Sequence, residues 1–308
     1  MRRKFLYGAL FVFIALNAVA YRHAYMFTHF SKDEGQRTKD PKELSTLEKA
    51  KTLFMGINNP RPRHKQLPDS VFATVNIEST VLLEGWLIEQ QDSKGTVIMF
   101  HGYAGEKSSL LGRSNEFLKL GYKVLLIDFM GSGGSEGNST SIGFNEAKQV
   151  RDCFNYVVNR GENNIVLFGT SMGAAAILKA MDDYSLNAAS IILECPFGSL
   201  YKTVKARFRL MNAPTFPMAG LLCFWGGVQN GYWAFSHNPI EYANGVNKPT
   251  LLLFGTLDNR VSLQEIELIF ENLKGDKTLK VYESEGHDVF SDNEVIWAED
   301  VEEFLGVH

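Results

Sequence analysis

The stretch NNIVLFGTSMGAAAILKAM, residues 163–181, sets one serine between two glycines where an apolar run gives way to small helix formers. Ile165, Val166, Leu167 and Phe168 favour a strand and the residues from Ala174 to Met181 favour a helix, so Ser171 falls on the corner between them. Gly169 and Gly173 complete the pattern Gly-x-Ser-x-Gly. In that pattern a strand and a helix approach closely because the flanking residues have no Cβ. Such a corner pushes the hydroxyl into solvent. The amides of the helix's first turn, which have no partner within the helix, then face whatever the hydroxyl attacks. A serine N-cap between two turn glycines leaves the same five residues, so the chemistry has to be sought in the rest of the chain.

Short apolar runs alternate with helical periodicity on both sides of the corner. The runs at 96–100, 123–127, 164–168, 190–193, 250–254 and 278–282 read as strands buried on both faces. Helical periodicity occupies 108–120, 144–159, 174–184, 263–273 and 293–305. The alternation predicts an α/β fold, a mostly parallel doubly wound sheet with helices on both faces. Ahead of it, 71–77 and 81–88 read as two strands joined by a short turn, an antiparallel edge. Residues about 197–247 break the alternation with an aromatic-rich insertion, which predicts a helical lid, since ligands bind outside the carboxyl ends of such strands. Within it Phe197, Phe224, Trp225 and Trp233 are the candidate substrate-binding residues.

A serine hydroxyl needs a base to take its proton, and the base needs an orienting carboxylate. The segment LLLFGTLDNRVS places Asp258 in the loop after one buried strand, and VYESEGHDVF places His287 in the loop after the next. Both loops leave carboxyl ends of strands, the edge that also carries Ser171. Asp288 is a rival orienter, but a neighbour in sequence points its side chain elsewhere, so Asp258 is preferred. In VIMFHGYAGEKSS the amide of Tyr103 is a candidate oxyanion donor, together with that of Met172, the residue after the serine. His101 reads as a loop brace and not a base. In LLIDFMGSGGSEG the glycines fit neither Gly-x-Gly-x-x-Gly nor a P-loop, so this segment reads as a turn lining the site, braced by Ser132 and Ser135.

His101-Gly102, Asp128 with Gly131, Gly133, Ser135 and Gly137, the corner from Gly169 to Gly173, Asp258 and Gly286-His287 together resemble the α/β-hydrolase superfamily. Within it the chain looks most like the serine-aminopeptidase and monoacylglycerol-lipase-like branch, over roughly residues 71–305. Met130 departs from the pattern, where the family often has Arg, and puts a local brace in doubt. The resemblance implies hydrolysis of an ester, thioester or amide through an acyl-enzyme, with Ser171, His287 and Asp258 as the triad and with no cofactor and no metal. The apolar insertion favours a lipid-like or small acyl ester; an amide or peptide substrate of the aminopeptidase kind, or an inactive binding member of the fold, are the alternatives.

Composition is compatible with this reading and excludes others. The chain has 308 residues, 45% of them hydrophobic and 21% charged, and a net charge of −4 that offers no basic footprint for nucleic acid. Cys153, Cys195 and Cys223 have neither zinc spacing nor an even count for a disulfide framework. Three parts follow: an N-terminal segment at 1–30, a linker with a short amphipathic helix at 31–70, and an α/β-hydrolase domain at 71–308. Arg2, Arg3 and Lys4 precede an apolar run from Phe5 to Tyr21. A cleaved signal peptide, ending at Ala18-Val19-Ala20, competes with a retained membrane anchor, and the aromatic continuation past Ala20 favours the anchor. The basic N-terminus then stays in the cytoplasm and the bulk of the chain lies outside; cleavage instead predicts a secreted or periplasmic protein. In the linker, Asp40-Pro41-Lys42-Glu43 reads as a helix start, with Leu44, Leu47, Ala50 and Phe54 on one face.

Overall fold

The computed structural model describes residues 2–31, 35–41 and 43–306. Along the chain run α1 (Arg2–Thr28), α2 (Thr46–Met55), β1 (Ala73–Glu78), β2 (Leu82–Ile88), β3 (Thr96–Phe100), α3 (Leu111–Lys119) and β4 (Lys123–Ile127). Then come α4 (Glu146–Val158), β5 (Ile165–Thr170), α5 (Met172–Tyr184), β6 (Ser190–Glu194), α6 (Leu200–Leu210) and α7 (Met218–Asn230). The chain finishes with α8 (Pro239–Tyr242), β7 (Thr250–Gly255), α9 (Leu263–Asn272), β8 (Lys277–Tyr282) and α10 (Glu294–Leu305). These elements fall into two compact units.

One unit comprises Arg61–Ser199 and Asn238–His308. Its sheet has eight strands in the order β1-β2-β4-β3-β5-β6-β7-β8. β1 and β2 pair antiparallel at one edge, β2 meets β4 antiparallel, and every later pairing is parallel. All residues of β3, β6 and β7 are buried, which is why these strands read as unbroken apolar runs and not as alternating ones. Side chains alternate faces along β5. Phe168 stands edge-on to Phe117 of α3 and Trp297 of α10, while its neighbour Gly169 faces α5 on the other side. Helices therefore cover both faces. The strand order reverses around β3, and at such a switch point the loops leaving the carboxyl ends of neighbouring strands diverge and open a crevice.

The other unit comprises Met1–Pro60 and Leu200–His237. α1 spans 27 residues and holds an 18-residue stretch with a mean hydropathy of 1.6, long and apolar enough to cross a membrane. Among its described residues only Ala20, Ala24 and Thr28 are buried, at a spacing of four that puts them on one stripe. α7 lies against that stripe with Ala219, Cys223, Gly226 and Gly227 buried. The linker helix begins later than the sequence pattern indicates. Asp40-Pro41 lies outside it, Lys42 is not among the described residues, and the N-cap is Ser45. Ser45 and Glu48 form a reciprocal capping box, with the Ser45 amide 2.8 Å from Glu48 Oε2, and this satisfies two orphan donors. No residue of α2 is buried; Leu47 and Phe54 of the expected apolar face stand 80% and 82% exposed.

Candidate active site

Ser171 sits between β5 and α5 with φ 49° and ψ −106°, a conformation that a residue with a side chain adopts only when its surroundings impose it. The two flanking glycines impose it here. A Cβ at Gly169 would lie 2.6 Å from the Gly173 carbonyl carbon, and one at Gly173 would lie 2.3 Å from the Phe100 carbonyl oxygen. Strand, helix and the end of β3 are therefore in backbone contact, and the hydroxyl is lifted off the sheet. The Ser171 amide donates to the Glu194 carbonyl at 2.7 Å, which ties the corner to the end of β6.

His287, in the loop after β8, reaches this hydroxyl. Its Nε2 is 2.9 Å from Ser171 Oγ and its Nδ1 is 2.6 Å from Asp258 Oδ2. Asp258 follows β7, and its other oxygen accepts from the Arg260 and Val261 amides at 2.8 and 3.1 Å. The carboxylate is thus fixed by backbone before it orients the ring. A buried carboxylate on Nδ1 favours the tautomer that leaves Nε2 free to take a proton from Ser171. The three residues read from sequence converge.

Met172 is the first residue of α5, where a backbone amide has no partner inside the helix. Tyr103 occupies the turn closed by the Gly105 amide on the Gly102 carbonyl at 3.0 Å. His101 braces that turn: Nδ1 donates to the Gly102 carbonyl at 2.8 Å, and Nε2 accepts from the Phe129 amide at 3.1 Å. Burial keeps this imidazole neutral by lowering its pKa. In the segment after β4, Ser135 Oγ donates to the Asp128 carbonyl and accepts from the Glu84 amide, at 2.6 and 2.8 Å. With Met130 in place of an arginine, a guanidinium still reaches these carbonyls. Arg61, from the connector before β1, donates to the carbonyls of Gly133, Ser135 and Gly137. Nothing in the local sequence pairs residue 61 with residues 133–137, so only the folded chain reveals it.

A second network holds the His287 loop. Arg113 of α3 donates to both oxygens of Glu194 and, at 2.7 Å, to Asp288 Oδ1, and its guanidinium stacks 4.7 Å from the Phe290 ring. Asp288 is thereby engaged away from the imidazole it follows. Although its partial burial acts the other way, the Arg113 charge and the Ser291 hydroxyl hold the Asp288 carboxyl below the ordinary carboxylate range. The pair stabilises the loop above that range and the stabilisation is lost as pH falls through the lowered value. Arg113→Lys keeps the charge but loses the planar fork. It is expected to lower kcat about 10- to 100-fold with little change in KM, since a displacement near 1 Å costs about that much. A parallel loss in Arg113→Lys and Asp288→Asn, without loss of folded protein by circular dichroism, marks positioning; equal kcat in all three proteins refutes it.

Two clusters among the described residues have the donors of a metal site. Cys195, Asp258 and His287 bring one donor each within 4.8 Å of one another. Both His287 nitrogens are already engaged, and burial pushes the Cys195 thiol well up, away from the thiolate a metal needs. In the second cluster, His64, Glu106 and Asp128, the Lys107 ammonium already contacts His64 and Asp128, where a cation would go. Neither cluster suits a metal ion.

The candidate substrate-binding residues divide between the two units. Phe197 is buried just after β6. Phe224, Trp225 and Trp233 belong to the other unit, where Trp225 donates Nε1 to Asn17 Oδ1 at 3.1 Å and its ring meets Tyr21 of α1 edge-on.

Residues 91–232 match a family described as serine aminopeptidase, S33. The chain is 29% identical to the uncharacterized protein YqkD of Bacillus subtilis over 231 residues, 72% of this chain and 75% of that one. Among solved structures it resembles the esterase Pf2001 of Pyrococcus furiosus, with a TM-score of 0.68 at 24% identity over 80% of this chain and 96% of that one. It also resembles the esterase EaEST of Exiguobacterium antarcticum, with a TM-score of 0.59 at 19% identity over 76% of this chain and all of that one. The family match covers β3 to β6 and the corner that carries Ser171, and the structural matches share the fold around them: the chain has the α/β-hydrolase fold, and its residues 91–232 are similar to the serine aminopeptidase family.

Proposed function

We propose that the protein is a serine hydrolase that cleaves an acyl ester through an acyl-enzyme. The unbroken line of contacts from Asp258 through His287 to Ser171, 2.6 and then 2.9 Å, carries this reading. His287 Nε2 takes the hydroxyl proton as Ser171 Oγ bonds to the acyl carbon, and the carbonyl π electrons move onto oxygen. In this reading the amides of Tyr103 and Met172 receive that oxyanion, backbone donors set in a turn and at a helix start, so little reorganisation is needed when charge develops. As the tetrahedral species collapses, the carbon to leaving-group bond breaks and the imidazolium returns its proton to the departing alkoxide. Water then repeats the sequence on the acyl-enzyme and releases the acid.

The esterase names of the structural neighbours and the apolar aromatic insertion support an ester, lipid-like or small. The family description supports an aminopeptidase-type amide substrate as the second reading. The apolar length of α1 and the exposure of its residues 2–15 support a retained anchor with the catalytic unit outside the cytoplasm. A fluorophosphonate probe, with mapping of the labelled peptide, tests the nucleophile, and a panel of p-nitrophenyl acyl esters against aminoacyl amides tests the substrate class. Labelling at Ser171 with ester turnover supports the proposal. Turnover of amides alone moves the assignment to a peptidase, and a folded protein that takes no label moves it to a binding member of the fold.

A further inference from the structure

α7 is tied to one part of α1. Beyond the packed stripe, Trp225 binds the Asn17 side chain and Gln229 Nε2 donates to the Tyr21 carbonyl at 2.8 Å. Small residues four apart on both helices allow this close approach, as in helix pairs within membranes. The apolar run of α1 ends at Tyr21 and is followed by Arg22. If α1 spans a bilayer, the residues α7 touches lie where hydrocarbon gives way to headgroups. The whole helix is about 40 Å long against a hydrocarbon thickness of about 30 Å.

The face of α7 turned away from α1 is apolar and uncovered. Phe224 and Val228, one turn apart, are 38% and 54% exposed, and Trp233 beyond the helix end is 59% exposed. Ring contacts run without a break from Tyr201 through Phe235, Trp233, Phe224 and Trp225 to Tyr21 of α1. Tryptophan and tyrosine collect at the membrane interface, where an apolar ring and a polar edge are both satisfied. Charge is divided in the same sense. Past the apolar run of α1, residues 22–60 have seven Lys and Arg against five Asp and Glu, and Leu200–His237 has four against none, whereas the other unit has seventeen against thirty. A basic surface with exposed aromatic side chains suits an anionic lipid surface, to which Lys and Arg near the headgroups are drawn.

We infer that α7 and the aromatic turn after it rest in the headgroup region of a bilayer containing anionic lipid, so that the membrane contact extends from α1 onto the α6–α7 segment. The inference depends on α1 being a membrane segment. The native cysteines are all buried, so an introduced surface cysteine takes a thiol-reactive bimane selectively. Full-length Val228→Cys, Phe11→Cys and Leu257→Cys proteins would be labelled in nanodiscs of phosphatidylcholine and phosphatidylglycerol. Quenching by doxyl lipid would be compared with quenching by aqueous iodide. Lipid quenching at Val228, at least about twofold above that at Leu257, together with lipid quenching at Phe11, is the expected result. Lipid quenching at Phe11 with iodide quenching at Val228 overturns the inference and leaves the anchor standing. Protection of Val228 from both quenchers overturns it in favour of a protein cover such as a second copy. Iodide quenching at Phe11 overturns the anchor and the inference together. Phe224→Cys, on the same face of α7, repeats the reading should Val228→Cys fold poorly.

Discussion

Ser171→Ala is expected to lower kcat/KM towards an activated ester by about four to six orders of magnitude, and His287→Ala and the double variant by nearly the same factor. The equality is the informative part. The hydroxyl and the imidazole form one proton path, 2.9 Å long, so removing either end removes the whole path and removing both removes nothing more. Asp258→Asn is expected to cost about four orders of magnitude while leaving the residues in place, because an amide on Nδ1 selects the wrong tautomer. Residual activity in each variant is expected from the proposed oxyanion donors, the Tyr103 and Met172 amides, and from substrate binding, which no side-chain replacement here touches. Ser171 and His287 are both partly exposed, so their alanine variants should melt close to the parent protein. Steady-state kinetics on the three single variants and the double variant settle the matter. Losses that multiply in the double variant would mean that serine and histidine act in separate steps, and substantial turnover by Ser171→Ala would place the nucleophile elsewhere.

Much of this centre is legible in the sequence because each part of it is local. The corner is five residues long, and the loops bearing Asp258 and His287 follow apolar runs whose ends fix where they emerge. The parallel sheet is equally legible, since burial on both faces turns β3, β6 and β7 into unbroken apolar runs. The braces are not legible. Arg61 to residues 133–137, Arg113 to Glu194 and Asp288, and Lys107 to Glu84 each join segments distant in sequence, and a charged residue reads as solvated until the fold buries it. The start of α2 is ambiguous in the sequence for a different reason. Asp40-Pro41-Lys42-Glu43 and Ser45 with Glu48 are two valid start signals five residues apart, and the helix takes the second, with Ser45 as its N-cap. The pairing of α1 with α7 leaves only a faint trace, small residues at a spacing of four that also suit an ordinary helix.

Lys107→Met is expected to destabilise the catalytic unit by about 3–5 kcal/mol, although residue 107 has no part in the proton path. The Lys107 side chain is fully buried. Its ammonium contacts Asp128 and, at 2.7 Å, Glu84 Oε1, lies 2.9 Å from His64 Nε2, and stands 4.5 Å from the Trp86 ring centre. Asp128, also fully buried, accepts the Lys107 amide at 2.8 Å and the Gly134 amide at 2.9 Å. Burial alone would raise its pKa, but the His64 contact and the Lys107 charge outweigh it and hold the carboxyl far below the ordinary range. Methionine fills most of the volume and leaves that carboxylate without its cation, which is the costly way to break a buried pair. A drop of about 6–20 °C in Tm should follow for a unit of this size. The sign of the pH dependence separates charge from packing. In the parent, a depressed carboxyl contributes stability above the ordinary carboxylate pKa that is lost as pH falls through the lowered value; in the variant that contribution is missing at neutral pH. The two stability curves should therefore lie furthest apart near neutrality and converge in acid. A gap that stays constant into acid would mean that the lysine stem packs the loop and its charge does nothing. Asp128→Asn in the Lys107→Met background should recover part of the lost stability, because it removes the charge left uncompensated.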